Sequence, residues 1–270
     1  MAGIASKLSD CDWVKYVEQF DFVTLVETFV DNTFDMSGGV FGDYVKFVCP
    51  SVKLSYQRRR SGGVIVMVKK HISKFVERIS VQCDNVIVLK LSRTLFGTED
   101  DCLYLSTYVP PSGSPFYDSA DSNCHIAEVE KCICDLLEEL GDVNIICNGD
   151  FNARTAKYQV NQDFVQNYEN DVADKIEMLE CSRISQDSQL NAFGKRLLEL
   201  CTLFDLQLIS VCGPWDNHVK FTFISVQGCS VVDYFLMSSS LLDFVYTFSV
   251  EDRTESDHMP VELYCNFYTD

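Results

Sequence analysis

Apolar residues fall along this chain in short runs, some alternating with polar residues and some continuous, with turn formers between them. Period-two alternation marks a strand buried on one face, and a short continuous apolar run marks one buried on both. The pattern predicts twelve strands: 22–27, 44–48, 63–69, 76–81, 85–92, 102–108, 143–147, 206–210, 221–226, 230–237, 246–250 and 261–267. So many strands demand at least one large sheet and point to two packed face to face.

Three segments carry helical spacing instead. Ser9 is placed to cap a helix running to Phe20, with Trp13, Val14 and Val17 as its apolar stripe. Asn123 is placed to cap a second, which buries Ile126, Val129, Ile133, Leu136, Leu137 and Leu140 and ends at Gly141. A third covers about 191–203, with Phe193, Leu197, Leu200 and Cys201 inward. No internal repeat or compositional break divides the chain, so residues 1–270 are expected to form a single domain. The polar, acidic stretch 153–189 reads as a surface excursion.

Composition narrows the setting. No run approaches the roughly 20 apolar residues of a membrane helix. The N-terminus lacks a basic flank followed by an apolar core. An intracellular protein, nuclear or cytoplasmic, without membrane contact is expected. The 13 cysteines are odd in number and scattered, and Cys102, Cys147 and Cys201 sit inside apolar runs, which suits free thiols in a reducing compartment. Cys132 and Cys134 lack the spacing of a structural zinc site. A net charge of -18 disfavours a tight, independent DNA binder, because phosphate affinity rests on lysine and arginine releasing counterions. It leaves room for an enzyme whose carboxylates hold a divalent ion.

Candidate chemistry gathers at strand ends. Glu27, Tyr108 and the pair Asp150 and Asn152 each close an apolar run, Asp233 lies inside one, and Asp257 and His258 stand just before the last. Each has an ordinary reading: a turn-forming or solvated carboxylate, a packed tyrosine, a hairpin turn at Asn148-Gly149. Asp233 resists it, because a carboxylate among Val231, Val232, Tyr234 and Phe235 is costly to bury without a partner. His258 is a suitable one. His71, His125 and His218 read as surface or satisfied groups. Taken together, the set suits phosphodiester hydrolysis, which needs a divalent ion, a group that orients or deprotonates water, and donors for charge developing at phosphorus. Asp150 is suited to align the water and Asn152 to donate to the phosphate. At such a mouth, Asp150 is expected to face solvent and to contribute little to packing.

The motifs "LVETF", "RRRSGGVIVMVKK", "YVPPSG", "NGDFNAR", "SVVDYFLMS" and "SDHMPV" occur in an order and approximate spacing that resembles the endonuclease/exonuclease/phosphatase superfamily, of deoxyribonuclease I-like fold. The resemblance is greatest to the apurinic-type endonuclease domains of RTE-like non-LTR retrotransposons. It implies a four-layered α/β sandwich of two mainly antiparallel sheets with helices on the outer faces. It further implies Glu27 as principal Mg²⁺ ligand with Asp257 in support, Mn²⁺ being a possible substitute, and Tyr108 and Asn152 as phosphate contacts. Asp150 would activate water, while His258, held by Asp233, would act as base or phosphate donor. Arg58, Arg59 and Arg60 would lie near DNA, although an exposed basic turn fits them equally well.

The resemblance is incomplete at the start. Family members open with a strand carrying an asparagine near the metal, whereas here Ala2-Gly3-Ile4 matches only the end of that motif. The expectation is an N-terminally truncated domain with neighbouring backbone groups left exposed. The reverse transcriptase expected downstream in such elements is not in this sequence. Three functions remain open: a DNA-nicking endonuclease, a phosphomonoesterase or inositol/lipid phosphatase of the same fold, and an inactive remnant acting as a binding module.

Overall fold

The computed structural model describes residues 4–31, 33–34, 40–53, 60–118, 124–158, 185–209 and 220–266. Its central sheet has six strands in the order β4 (Val76–Ile79), β5 (Val86–Leu91), β6 (Cys102–Tyr108), β7 (Asn144–Asp150), β11 (Asp233–Ser238) and β8 (Leu206–Leu208). Neighbours are antiparallel except β6 and β7, which run parallel and are joined through helix α3 (His125–Leu140). All seven residues of β6 are buried, as expected of a central strand covered on both faces.

Side chains alternate across this sheet. Leu103, Leu105, Ile145 and Cys147 pack with Val129, Ile133 and Leu136 of α3 and with Leu197, Leu200 and Cys201 of α4 (Ala192–Leu203). On the opposite face Leu89, Tyr104, Ile146 and Met237 meet a second β layer through Val64, Val66, Val68, Phe248 and Val250. That layer consists of β2 (Tyr44–Cys49), β3 (Val64–Lys69) and β1 (Phe22–Leu25), in the order β1-β3-β2, and of the separate pair β12 (Val245–Val250) and β13 (Val261–Cys265). Behind β3 lie α1 (Ile4–Lys7) and α2 (Cys11–Val17), where Ile4, Trp13 and Val17 share a cluster with Ile65 and Met67. A short hairpin, β9 (Phe223–Ser225) and β10 (Gly228–Ser230), stands beside β11. The result is the expected four-layered α/β sandwich.

The second layer is split. The Lys69 amide donates to the Asp21 carbonyl at 2.9 Å, so by antiparallel alternation the backbone groups of Phe22 and Thr24 point away from β3. The Glu251 amide donates to Pro260 at 3.0 Å, which by the same alternation turns those of Val261 and Leu263 away from β12. Between these edges of β1 and β13 lies a cleft of about 750 Å³.

Four local expectations are corrected. Asp10, not Ser9, caps α2, its Oδ1 accepting from the amides of Asp12 and Trp13. The run 230–237 breaks into two strands because side chains capture its middle: Asp187 Oδ2 takes the Val231 amide, and Thr222 Oγ1 takes those of Val232 and Asp233. The Asn148-Gly149 pair forms no hairpin turn, for β7 continues through it to Asp150. Finally, the described ends of the stretch 153–189 are anchored as well as exposed: Lys157, Ser188 and Gln189 face solvent, but Ala153, Thr155 and Asp187 are buried, and Asp187 grips Arg154 through two hydrogen bonds of 2.8 and 2.7 Å. Asn123, the expected cap of α3, lies outside the described residues.

Candidate active site

Strand register assembles the site. Tyr108 of β6 is opposite Asp150 of β7, and Asp150 is opposite Asp233 of β11, so three polar side chains stand abreast at one end of the sheet. The second layer supplies the rest. Glu27 follows β1 with φ of 50°, a left-handed turn that takes it out of the strand, and its Oε1 accepts the Tyr108 hydroxyl at 2.6 Å. His258 precedes β13 and is fixed by a bridge to Phe223, whose ring lies 4.9 Å from the imidazole.

His258 Nδ1 lies 3.0 and 3.1 Å from the two Asp233 oxygens, and its Nε2 is 3.8 Å from Asp150 Oδ2. Asp150 is 1% exposed, and its Oδ1 accepts the Asn152 amide at 2.9 Å. The expected solvent-facing position is therefore wrong, because Asp150 ends β7 between β6 and β11 and the chain beyond it, from Phe151 to Ala156, stays largely buried. Asn152, with φ of 47°, spends its side-chain amide on the Val109 carbonyl at 2.8 Å and on Asp150 Oδ2 at 3.2 Å. It thus orients the carboxylate.

Asp257 lines the same cleft further out, its Oδ1 3.4 Å from Ser256 Oγ and its carbonyl accepting from Ile224. Arg60 lies apart, its guanidinium donating to Ser51 Oγ at 2.8 Å and to the Ser51 carbonyl at 2.5 Å. Arg58 and Arg59 fall outside the described residues. A polar layer beneath the site escaped the sequence reading: Ser106 Oγ lies 2.8 Å from Thr24 Oγ1 and donates to Asn148, which is opposite it in register. The only sequence signal was their shared parity with Tyr108 and Asp150.

Burial, then the Asp233 charge, lifts the Asp150 carboxyl well above its ordinary range, against the opposing pull of His258. Burial alone lowers the His258 imidazole, but the charge and hydrogen bond of Asp233, with Asp150 and Glu27 behind, push it up to about 10. Burial and then Glu27 raise the Tyr108 phenol, which stays a donor. These directions make a pH prediction. An unfolded-chain histidine ionises near about 6.5, so stability from His258 is complete below that pH and is lost as pH rises through about 10. In EDTA, the Tm advantage of wild type over His258→Gln is expected to shrink from pH 7 to pH 10. An advantage constant over that range would show a neutral ring.

Asp150, Asp233 and His258 each place a ligand atom within 4.8 Å of the others, a set able to hold a metal ion. The profile of the endonuclease-reverse transcriptase family matches residues 102–262, from β6 into β13. The chain belongs to that family. The matched stretch carries Tyr108, Asp150, Asn152, Asp233, Asp257 and His258, whereas Glu27 precedes it. Membership places the protein among nuclease-type members of the endonuclease/exonuclease/phosphatase superfamily.

Solved structures of the same fold accompany this family assignment. The 3′ phosphatase NExo from Neisseria, bound to a product DNA hairpin, is 14% identical with a TM-score of 0.63 over 98% of this chain and 96% of that one. The AP endonuclease LMAP from Leishmania major is 16% identical with a TM-score of 0.63, over 98% and 85%. The endonuclease domain of TRAS1, a telomere-specific non-LTR retrotransposon, is 17% identical with a TM-score of 0.51, over 85% and 83%. At these identities the likeness establishes the deoxyribonuclease I-like fold. No curated protein matches the chain. No helix among the described residues is long and apolar enough to cross a membrane.

Proposed function

We propose that this family member is a Mg²⁺-dependent endonuclease of non-LTR retrotransposon type that nicks DNA and leaves a 3′-hydroxyl. The observation that carries the reading is the 3.8 Å separation between His258 Nε2 and Asp150 Oδ2. It is too long for a direct hydrogen bond, yet it suits two groups that act on neighbouring oxygens of one reaction. Asp150, oriented by Asn152, aligns and deprotonates the attacking water. His258, kept positive by Asp233, faces the charge developing on the phosphate. Tyr108 holds Glu27 in place through one oxygen and leaves the other free to serve as a ligand.

The donor set fits a hard cation. Glu27, Asp150, Asp233 and Asp257 offer carboxylate oxygens, the ligands that Mg²⁺ and Mn²⁺ prefer. Glu27 is assigned as principal ligand with Asp257 in support. When bound, such an ion polarises the phosphate oxygens and offsets their charge. Arg58, Arg59 and Arg60 are proposed as phosphate contacts, on the sequence pattern alone.

Supercoiled plasmid provides the test. Nicking is expected with Mg²⁺ and not with EDTA, and His258→Ala is expected to lower it by roughly 10²–10⁴-fold. Undiminished nicking in His258→Ala would remove His258 from the mechanism. One observation favours a second reading, namely that a 3′ phosphatase shares the fold. Phosphate release from a 3′-phosphorylated oligonucleotide, with plasmid left intact, would support it. Folded protein that acts on neither substrate would count against both enzyme readings.

A further inference from the structure

Away from the cleft, three other potential ligands meet where the β4–β5 turn touches the start of α3. Cys83, His125 and Glu128 each place a ligand atom within 4.8 Å of the others. His125 is fully buried, and its Nδ1 is 2.7 Å from Glu128 Oε2. Its other nitrogen, Nε2, is buried without a hydrogen-bond partner among the described residues. A carboxylate one turn from the start of a helix is explained by the helix dipole, and the histidine contact by i,i+3 spacing. Neither explains an imidazole sealed from water with one nitrogen unsatisfied, a condition that native structures avoid unless an ion, a water or a function supplies the partner.

We propose that Cys83, His125 and Glu128 form a second metal site, separate from the catalytic centre, for a borderline-soft divalent ion of the Zn²⁺ class. One sulfur, one nitrogen and one carboxylate oxygen are ligands that zinc accepts together, with a water in the remaining position. Hard ions such as Mg²⁺ are disfavoured by the thiol, so the two sites select different metals. Access is available, since Cys83 is half-buried and the Glu128 side chain is 29% exposed. Burial holds the Cys83 thiol protonated in the metal-free protein. Metal uptake therefore forms a sulfur–metal bond and releases that proton to solvent. The bound ion would pin the β4–β5 turn to α3.

Co²⁺ is the probe, because a cysteine ligand gives it a thiolate charge-transfer band, and the catalytic centre offers no sulfur ligand. Chelator-stripped full-length protein is expected to develop that band as one Co²⁺ binds, and to lose it when Zn²⁺ displaces the cobalt. Asp150→Asn, which disables the catalytic cluster, is expected to titrate like wild type. Cys83→Ser is expected to abolish the band, and Glu128→Gln to weaken binding by about 10–100-fold, with circular dichroism confirming that both remain folded. Absence of the band in wild type, its persistence in Cys83→Ser, or unchanged affinity in Glu128→Gln would each overturn the proposal.

Discussion

Asp150→Asn is expected to abolish DNA cleavage while yielding a protein more stable than wild type. Both effects follow from the same surroundings. The carboxylate is 1% exposed and lies opposite Asp233 in register. Burial and then that second carboxylate raise its ionisation well above the ordinary range, by more than His258 and the Asn152 amide lower it. A carboxyl whose folded pKa is raised loses stability as pH climbs past its unfolded value, so at neutral pH the charge is a net cost. An uncharged amide of the same shape removes that cost, and its carbonyl oxygen still accepts the Asn152 backbone amide, although the longer 3.2 Å bond from the Asn152 side chain is lost. The expected gain in EDTA is on the order of 1 kcal/mol, a Tm rise of roughly 2–4 °C. Turnover should fall by at least about 10²-fold, because an amide cannot take a proton from water. Plasmid nicking and thermal unfolding of one preparation read both effects. Near-normal nicking would remove Asp150 from the chemistry, and a large loss of Tm would make it a structural residue.

The contrast between Asp150 and Asp233 shows what a sequence makes legible here. Asp233 sits among valines and aromatics, so the cost of burial demanded a partner, and the sequence offered His258. The structure places them 3.0 Å apart. Asp150 follows an Asn-Gly pair, which reads as a turn and suggests exposure. Its burial depends on β11 and the second layer closing over it, and local pattern carries no information about that. The same limit hid the Arg154–Asp187 pair, whose members are 33 residues apart, and the polar layer of Thr24, Ser106 and Asn148. Period-two alternation says which face a residue takes, not which residue of another strand it meets.

Strands buried on both faces differ in legibility: β7, expected to end at residue 147, runs on to Asp150, whereas β6 does not overrun. β6 matches its expected bounds, because apolar Cys102–Leu105 leads through Ser106 and Thr107 to Tyr108 between acidic residues and a double proline. The run 230–237 does not, since three of its backbone amides bond to Asp187 and Thr222 side chains that no periodicity reveals. His125 shows a related limit. As a single histidine it reads as a surface or satisfied group, yet it is fully buried, and one nitrogen has no partner among the described residues.

Gly149→Ala tests whether the strand that carries Asp150 tolerates any side chain before it, and it is expected to be the most damaging single-methyl change at the site. Gly149 has φ of 139°, a conformation that L-residues rarely adopt, and a Cβ built there would stand 1.8 Å from the Thr107 carbonyl oxygen. That oxygen belongs to β6, the parallel neighbour of β7, with Thr107 and Gly149 opposite in register. Relief therefore requires the two central strands to part beside the paired Tyr108 and Asp150. The backbone strain costs about 1–3 kcal/mol and the overpacking a further ~1–3 kcal/mol, for a combined loss of roughly 4 kcal/mol, in the range of severe single substitutions. In urea unfolding, the midpoint should fall while the slope is unchanged. The fraction that remains folded should also cleave poorly, because a shift of about 1 Å at a catalytic group is enough to cost on the order of 10²-fold in rate. Wild-type stability together with wild-type cleavage would mean that β6 and β7 are not packed as closely as their register requires.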